Sequence, residues 1–269
     1  MEGRPLILLT NDDGVYAEGL TALRRALTEV ARTVVVAPAV ERSASSHSIT
    51  LQRPLRHKQL DADLFALDGT PVDCVFMALY SECFLPRRPD LVLSGINHGL
   101  NLGTDTLYSG TVGAAREAAI HGISAMALSY DDTEGFSRIA DICLKLTCRL
   151  LESACESNSA TLLNVNFPKG PINGGLTTSL ARRYYQDHVV ARHDPRGREY
   201  LWIGGRAIEN KVEKGTDALA VKQGFISITA LAIEAIDTNR LEVAEKLAAS
   251  CDVIVNASQS AEGDSPVNG

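Results

Sequence analysis

Pro5-Leu6-Ile7-Leu8-Leu9-Thr10-Asn11-Asp12-Asp13-Gly14 is a short apolar run that ends on an amide, two adjacent carboxylates and a glycine. An unbroken apolar run of this length, bounded by Pro and Gly, reads as a buried parallel strand. In an open α/β sheet the carboxyl ends of the strands are where ligands bind. Neighbouring carboxylates repel, so Asp12 and Asp13 at such an end point to a cation. Gly14 permits a turn with positive φ that swings both side chains to one side. Oxygen ligands select Mg²⁺, Mn²⁺ or Ca²⁺ over a thiolate-bound metal. Asn-Asp-Asp-Gly is also sound turn chemistry, and Asp is a common helix cap, so the surrounding chain has to decide.

Working outward, strand-like and helix-like segments alternate. Leu20, Leu23, Leu27 and Val30 recur at helical spacing, and Thr33–Ala37 is a second strand closed by Pro38. The segment from Glu41 to Ser48 is too polar for a core element. Leu64–Leu67 is a strand, followed by a helix with Thr70 as N-cap and Pro71 in its first position. Pro89–Ser94 is a strand entering a glycine-rich loop, Gly95 to Gly103. A helix begins near Ser109-Gly110-Thr111, Ser124–Ser129 is a further strand, and Ile139, Ile142, Cys143, Leu146 and Leu150 mark one helix face. This βαβ alternation predicts an α/β protein with a doubly wound, mostly parallel sheet over residues 1–169. Residues 170–257 read as an extension of antiparallel hairpins with strands near Tyr200–Ile203 and Phe225–Leu231. A terminal helix is expected at Arg240–Cys251, and the tail at 258–269 is expected to be mobile.

Composition narrows the class. The 269 residues are 45% hydrophobic, enough to build a sizeable core. The net charge of −7 argues against a surface for long nucleic acid, which would be basic. No apolar stretch reaches the ~20 residues of a membrane helix, and no signal-peptide pattern is present. The six cysteines (Cys74, Cys83, Cys143, Cys148, Cys155 and Cys251) form no Cys-x-x-Cys pair. They read as reduced packing residues in a cytoplasmic protein.

In a parallel sheet the loops that follow successive strands meet at one edge. Here they bring together Asp12 and Asp13, Ser43, Asn97 and the Ser109–Thr111 stretch. Two carboxylates, a hydroxyl and an amide oxygen make an all-oxygen shell for a hard divalent cation. A helix beginning at Gly110 presents free N–H groups to an anion. Metal beside anion suggests phosphoryl transfer or hydrolysis. Each residue alone has a plainer reading as a loop serine, a turn asparagine or a capping segment. His47, His98, His121 and His188 read, one by one, as surface or core-satisfied histidines. Neither Gly-x₄-Gly-Lys-Ser/Thr nor Gly-x-Gly-x-x-Gly occurs, so a P-loop kinase and a dinucleotide-binding dehydrogenase are unsupported.

Taken in order, several stretches together resemble the SurE family, the survival-protein nucleotidases. They are Leu8–Val15, Val36-Ala37-Pro38 with Arg42-Ser43, Gly69-Thr70-Pro71-x-Asp73-Cys74, Ser94-Gly95-Ile96-Asn97-x-Gly99-x-Asn101-x-Gly103 and Tyr108–Val112. Downstream follow Asp194–Gly197, Gly215-Thr216-Asp217 and Ser227-Ile228-Thr229. The resemblance implies a Rossmann-like core with a C-terminal extension exchanged between subunits, hence a homodimer or homotetramer through about residues 175–240. It implies metal-dependent hydrolysis of nucleoside 5′- and 3′-monophosphates, with some activity on short polyphosphate. By matching position, Asp12, Asp13, Ser43 and Asn97 are the expected ligands of Mn²⁺ or Mg²⁺. Ser109, Gly110 and Thr111 are expected to hold phosphate oxygens with Asn101 nearby, and Asp12 or Asp13 to act on the attacking water. Two other readings stay open: an aspartyl-phosphate phosphatase of the haloacid dehalogenase kind, and a non-enzymatic nucleotide-binding stress protein. Tyr16-Ala17-Glu18-Gly19, His47 and His98 depart from residues common in the family. They flank the site and bear on substrate preference.

Overall fold

The computed structural model describes residues 3–156, 159–182, 188–204, 213–234, 242–243 and 245–248. Its strands are β1 Leu6–Thr10, β2 Arg32–Pro38, β3 His57–Asp61, β4 Leu64–Leu67, β5 Leu91–His98, β6 Ala125–Tyr130, β7 Leu162–Phe167, β8 Gly175–Thr177, β9 His188–His193, β10 Glu199–Gly204 and β11 Ile226–Ala230. The α-helices are α1 Glu18–Leu27, α2 Pro71–Tyr80, α3 Gly110–Ile120, α4 Phe136–Glu156 and α5 Asp217–Lys222.

Nine strands form one sheet in the order β3-β4-β2-β1-β5-β6-β7-β11-β8. From β4 to β7 every neighbouring pair is parallel. The chain runs from β1 outward through β2 to β4, then returns to β5 on the other flank of β1 and continues outward to β7. Strand order therefore reverses between β1 and β5, and a crevice opens at their carboxyl ends. Asp12 and Asp13 leave β1 at that edge, and Asn97 lies in the last residues of β5.

Side-chain alternation along each strand builds two cores. Ile7, Leu9, Val35, Ala37, Leu91 and Leu93 pack on the side of α1 and α4, where Leu20, Leu23, Leu27, Ile139 and Cys143 meet them. Leu6, Leu8, Val34, Val36 and Val92 face the other way, against Cys74 and Val75 of α2 and Val112 and Ala115 of α3. A strand buried on both faces needs apolar residues at every position, which is why β1 is an unbroken run. α2 begins on a capping box: Thr70 Oγ1 accepts from the Asp73 N–H while the Asp73 carboxylate accepts from the Thr70 N–H.

Two expectations are corrected. The glycine-rich segment does not begin at Gly95: β5 continues through His98. The register shifts between Ser94, opposite Ala127, and Asn97, opposite Ser129, so one extra residue is accommodated on β5. Nor is the whole of 170–235 a set of appended hairpins. β11 joins the main sheet antiparallel to β7 and β8 lies parallel to β11; among the described residues β9–β10 is the separate antiparallel hairpin. Residues Met1–Ile233 cluster as one compact unit and Glu234–Gly269 as a second. In the second, residues 242–243 and 245–248 are helical. The remainder of the expected terminal helix, and the tail from 258, lie outside the described residues.

Candidate active site

A cleft of about 600 Å³ at the carboxyl edge of β1 and β5 has Asp12, Ser43, Asn97, His98, Asn101, Tyr108 and Ser109 among its lining residues. Residues predicted separately from four loops thus share one cavity. Asp13 stands beside it, its Oδ2 accepting from the His98 N–H at 3.0 Å. Gly110 and Thr111 form the first turn of α3, with Ser109 as N-cap.

Asp12 is buried, and both of its oxygens are engaged by one residue. The Thr111 N–H donates to Oδ2 at 3.1 Å and the Thr111 hydroxyl donates to Oδ1. Thr111 was expected to hold a phosphate oxygen; here both its donors serve the aspartate. Ser109 Oγ accepts from the Val112 N–H at 3.1 Å, which leaves its own proton to donate elsewhere. A Cβ on Gly110 would lie 3.1 Å from Asp12 Cβ, so glycine lets the helix start come this close to the carboxylate. Asn97 Nδ2 donates to the Gly99 carbonyl at 2.7 Å, turning the amide oxygen away from it. Ser43 donates to Glu41 Oε1 at 2.5 Å and retains its lone pairs.

The electrostatics of the carboxylates are those of a site short of positive charge. Burial pushes the Asp12 pKa up, against the Thr111 hydrogen bonds, and Glu41 adds to the rise. Asp13 is raised to about 6, mainly by burial, with Asp12 and Glu41 repelling it while the His98 N–H opposes. Asn11 Oδ1 and Ser45 Oγ are buried beside them without partners among the described residues. Such a group of buried oxygens fits a divalent cation. Among the described residues no three His, Cys, Asp or Glu side chains form a group that could hold a metal ion.

Sequence reasoning missed the scaffold beneath. Asn166 Oδ1 accepts from the Asn101 N–H at 2.8 Å, and the side chains of Asn164 and Asn166 donate to the Asn101 carbonyl at 2.8 and 3.1 Å. Asn101 Nδ2 donates to Ser129 Oγ at 2.8 Å. Asp217, fully buried at the start of α5, accepts from the Gly103 N–H at 2.7 Å and from the Ala181 N–H at 2.9 Å. The signal was available: two asparagines inside the otherwise apolar Leu162–Phe167 need partners once buried. Glu41 was likewise passed over as part of a polar segment.

Together, the doubly wound sheet and this cleft define an α/β protein with a carboxylate-bearing cavity where the strand order reverses. Comparison with known proteins gives the family. The profile described as Survival protein SurE matches residues 7–187. A Sorangium cellulosum protein named 5′-nucleotidase SurE is 47% identical over 249 residues, covering 91% of this chain and 96% of that protein. A protein of the same name from Caldanaerobacter subterraneus is 45% identical over 245 residues, covering 87% and 94%. The crystal structure of the SurE protein from Aquifex aeolicus matches with a TM-score of 0.78 at 38% identity, covering 90% of this chain and 99% of that one. The chain belongs to the SurE family.

Proposed function

We propose that the chain is a metal-dependent nucleotidase that hydrolyses nucleoside 5′- and 3′-monophosphates to nucleoside and phosphate, and also cleaves short polyphosphate. The observation that carries this reading is the placement of the buried Asp12 carboxylate, its pKa raised by burial, against the N-terminus of α3 in one cleft. Relatives named 5′-nucleotidase that span nearly the whole chain support it.

Asp12, Asp13, Ser43 and Asn97 would hold Mn²⁺ or Mg²⁺. Once bound, the cation neutralises phosphoryl oxygens and lowers the pKa of a water. The chain supplies the rest. Ser109 donates its hydroxyl proton, and Gly110 its N–H, to the phosphate oxygens as charge shifts in the transition state. Asn101 lies nearby, anchored by Asn164 and Asn166. Asp12, fixed by Thr111, orients the attacking water or takes its proton at the carboxylate.

The β9–β10 hairpin exposes Val189, Leu201, Trp202 and Ile203, the last at 93%. An apolar patch of this kind on so small an element marks an interface. We therefore extend the proposal to a homodimer or homotetramer assembled through the region of residues 175–240. A cytoplasmic location fits the cysteines: Cys74, Cys83, Cys143 and Cys148 are free thiols. No described helix is long and apolar enough to cross a membrane.

The test is phosphate release from a panel of 5′- and 3′-nucleoside monophosphates, with protein stripped of metal and then given Mn²⁺ or Mg²⁺. Release that stops with chelator and returns with metal is expected. No release with either metal would overturn the nucleotidase reading.

A further inference from the structure

Four ionisable side chains that the proposed chemistry leaves unused form a chain behind the site. Glu117, two turns into α3 and 7% exposed, accepts from two histidines at once. His47 Nε2 lies 2.6 Å from Oε2, and His121 Nε2 lies 3.0 Å from Oε1. The Tyr80 hydroxyl at the end of α2 lies 2.8 Å from His121 Nδ1. With both Nε2 atoms donating to the carboxylate, Nδ1 of His121 is left to accept from Tyr80, so one tautomer satisfies the whole chain. Burial alone would raise the Glu117 pKa, yet the two histidine hydrogen bonds outweigh it and hold the carboxylate below its usual range.

His47 belongs to the loop of residues 41–50, which carries Ser43. That loop crosses α3 at close range. A Cβ on Gly113 would lie 2.5 Å from the Ser46 carbonyl oxygen, so the helix is cut back to glycine where the loop passes. Ser46 is tied to the end of the preceding turn: its N–H donates to the Tyr108 carbonyl at 2.9 Å and its hydroxyl to the Leu107 carbonyl at 2.6 Å. Ala44 and Ser46 both adopt positive φ, of 53° and 54°. These backbones are unusual for residues with a Cβ and persist only where the surroundings hold them. The His47–Glu117 pair is an ionisable contact from the loop into the body of α3.

We propose that Glu117 is a positioning residue of the site: by gripping His47, with His121 and Tyr80 bracing it from behind, it locks the 41–50 loop onto α3 and so sets Ser43 opposite Asp12. This rests on the reading of Ser43 as a metal ligand. A residue that holds a ligand-bearing loop without touching the reacting atoms is expected to act first on metal affinity.

The test compares wild type with His47→Leu, His47→Gln and Glu117→Gln in the full chain, measuring Mn²⁺ affinity by calorimetry, KM and kcat at saturating Mn²⁺, and melting temperature without metal. Gln places a donor close to where His Nε2 stood, and Leu places none. His47→Leu is expected to weaken Mn²⁺ binding by about tenfold, the lower range for groups that orient metal ligands. Its kcat at saturating Mn²⁺ should stay within about twofold, His47→Gln should recover most of the affinity, and Glu117→Gln should resemble His47→Leu. Equal Mn²⁺ affinity in His47→Leu and wild type would overturn the proposal, as would melting temperatures that fall in all three variants with no recovery by Gln. Wild-type protein that binds no Mn²⁺ would instead remove the metal-ligand reading on which the proposal stands.

Discussion

At the scale of single residues the site is a problem of charge, and its predictions follow from that. Asp12 is buried with its pKa raised and is held by Thr111. Asp12→Asn preserves the shape while removing the charge that a cation requires. We expect turnover to fall by about 10²–10⁴-fold, the range for loss of a group acting on the reacting proton. The metal-free melting temperature should hold or rise, because a buried charge short of a counter-ion is gone; near-normal turnover would sink the assignment. Asp13, with a folded pKa of about 6, has a definite pH signature. An acid whose pKa is raised on folding favours the folded state while protonated. Its stabilisation of the metal-free protein is present below about pH 4 and is lost as pH rises through 6. Over the same interval the proton leaves and Mn²⁺ affinity should increase, since a ligating carboxylate must be deprotonated. Calorimetric titration between pH 5 and 7.5 would show this, and a flat profile would contradict it. The paired aspartates were legible in the sequence because like charges placed together demand a reason. Glu41 was not, because one carboxylate in a polar loop is ordinary until the fold sets it against two others.

Among the elements, α2 shows the clearest passage from local sequence to long-range order. Thr70-Pro71-x-Asp73 announces a helix start on its own. The structure adds that Asp73 also accepts from the Thr50 N–H at 2.8 Å and the Thr50 hydroxyl at 2.6 Å, fastening the far end of the Ser43 loop. Asp73→Ala should therefore cost more than a lost cap. It strands the Thr50 and Thr70 N–H groups, for a total of about 3 kcal/mol. Urea unfolding would measure this, and a cost of ~1 kcal/mol would mean that the cap is the whole effect. The length of β5 was the opposite case. Gly95 and the polar residues after it read as a loop, but pairing with Ser129 and Tyr130 of β6 carries the strand on to His98. Strand pairing comes from a partner far along the chain, so local composition does not reveal it. β11 was read as a strand near Phe225–Leu231, but its place in the main sheet was obscured for the same reason: it pairs with β7 and β8 across intervening residues.

For the whole molecule, the outstanding feature is the exposed apolar hairpin. Trp202 is 62% exposed and Leu201 63%. If the hairpin is the subunit contact, replacing Trp202 and Ile203 by Glu should convert an oligomer to monomer in light scattering coupled to size exclusion while the far-ultraviolet dichroism stays unchanged. An oligomer that survives both charges would place the interface elsewhere. The sequence by itself determined the α/β class, the position of β1 at the heart of a parallel sheet and the identity of the oxygen-bearing residues at its edge. It could do so because burial on both faces forces unbroken apolar strands, and adjacent carboxylates are costly without a purpose. Only the tertiary structure decided that Thr111 serves Asp12, that Glu41 joins the acidic group, that Asn164, Asn166 and Asp217 carry the loop under the site, and that Glu117 grips His47. These are contacts between side chains that are distant along the chain. Burial is what gives them weight, because a polar group removed from water must find its partner inside the protein, and only the folded chain shows which partner is there.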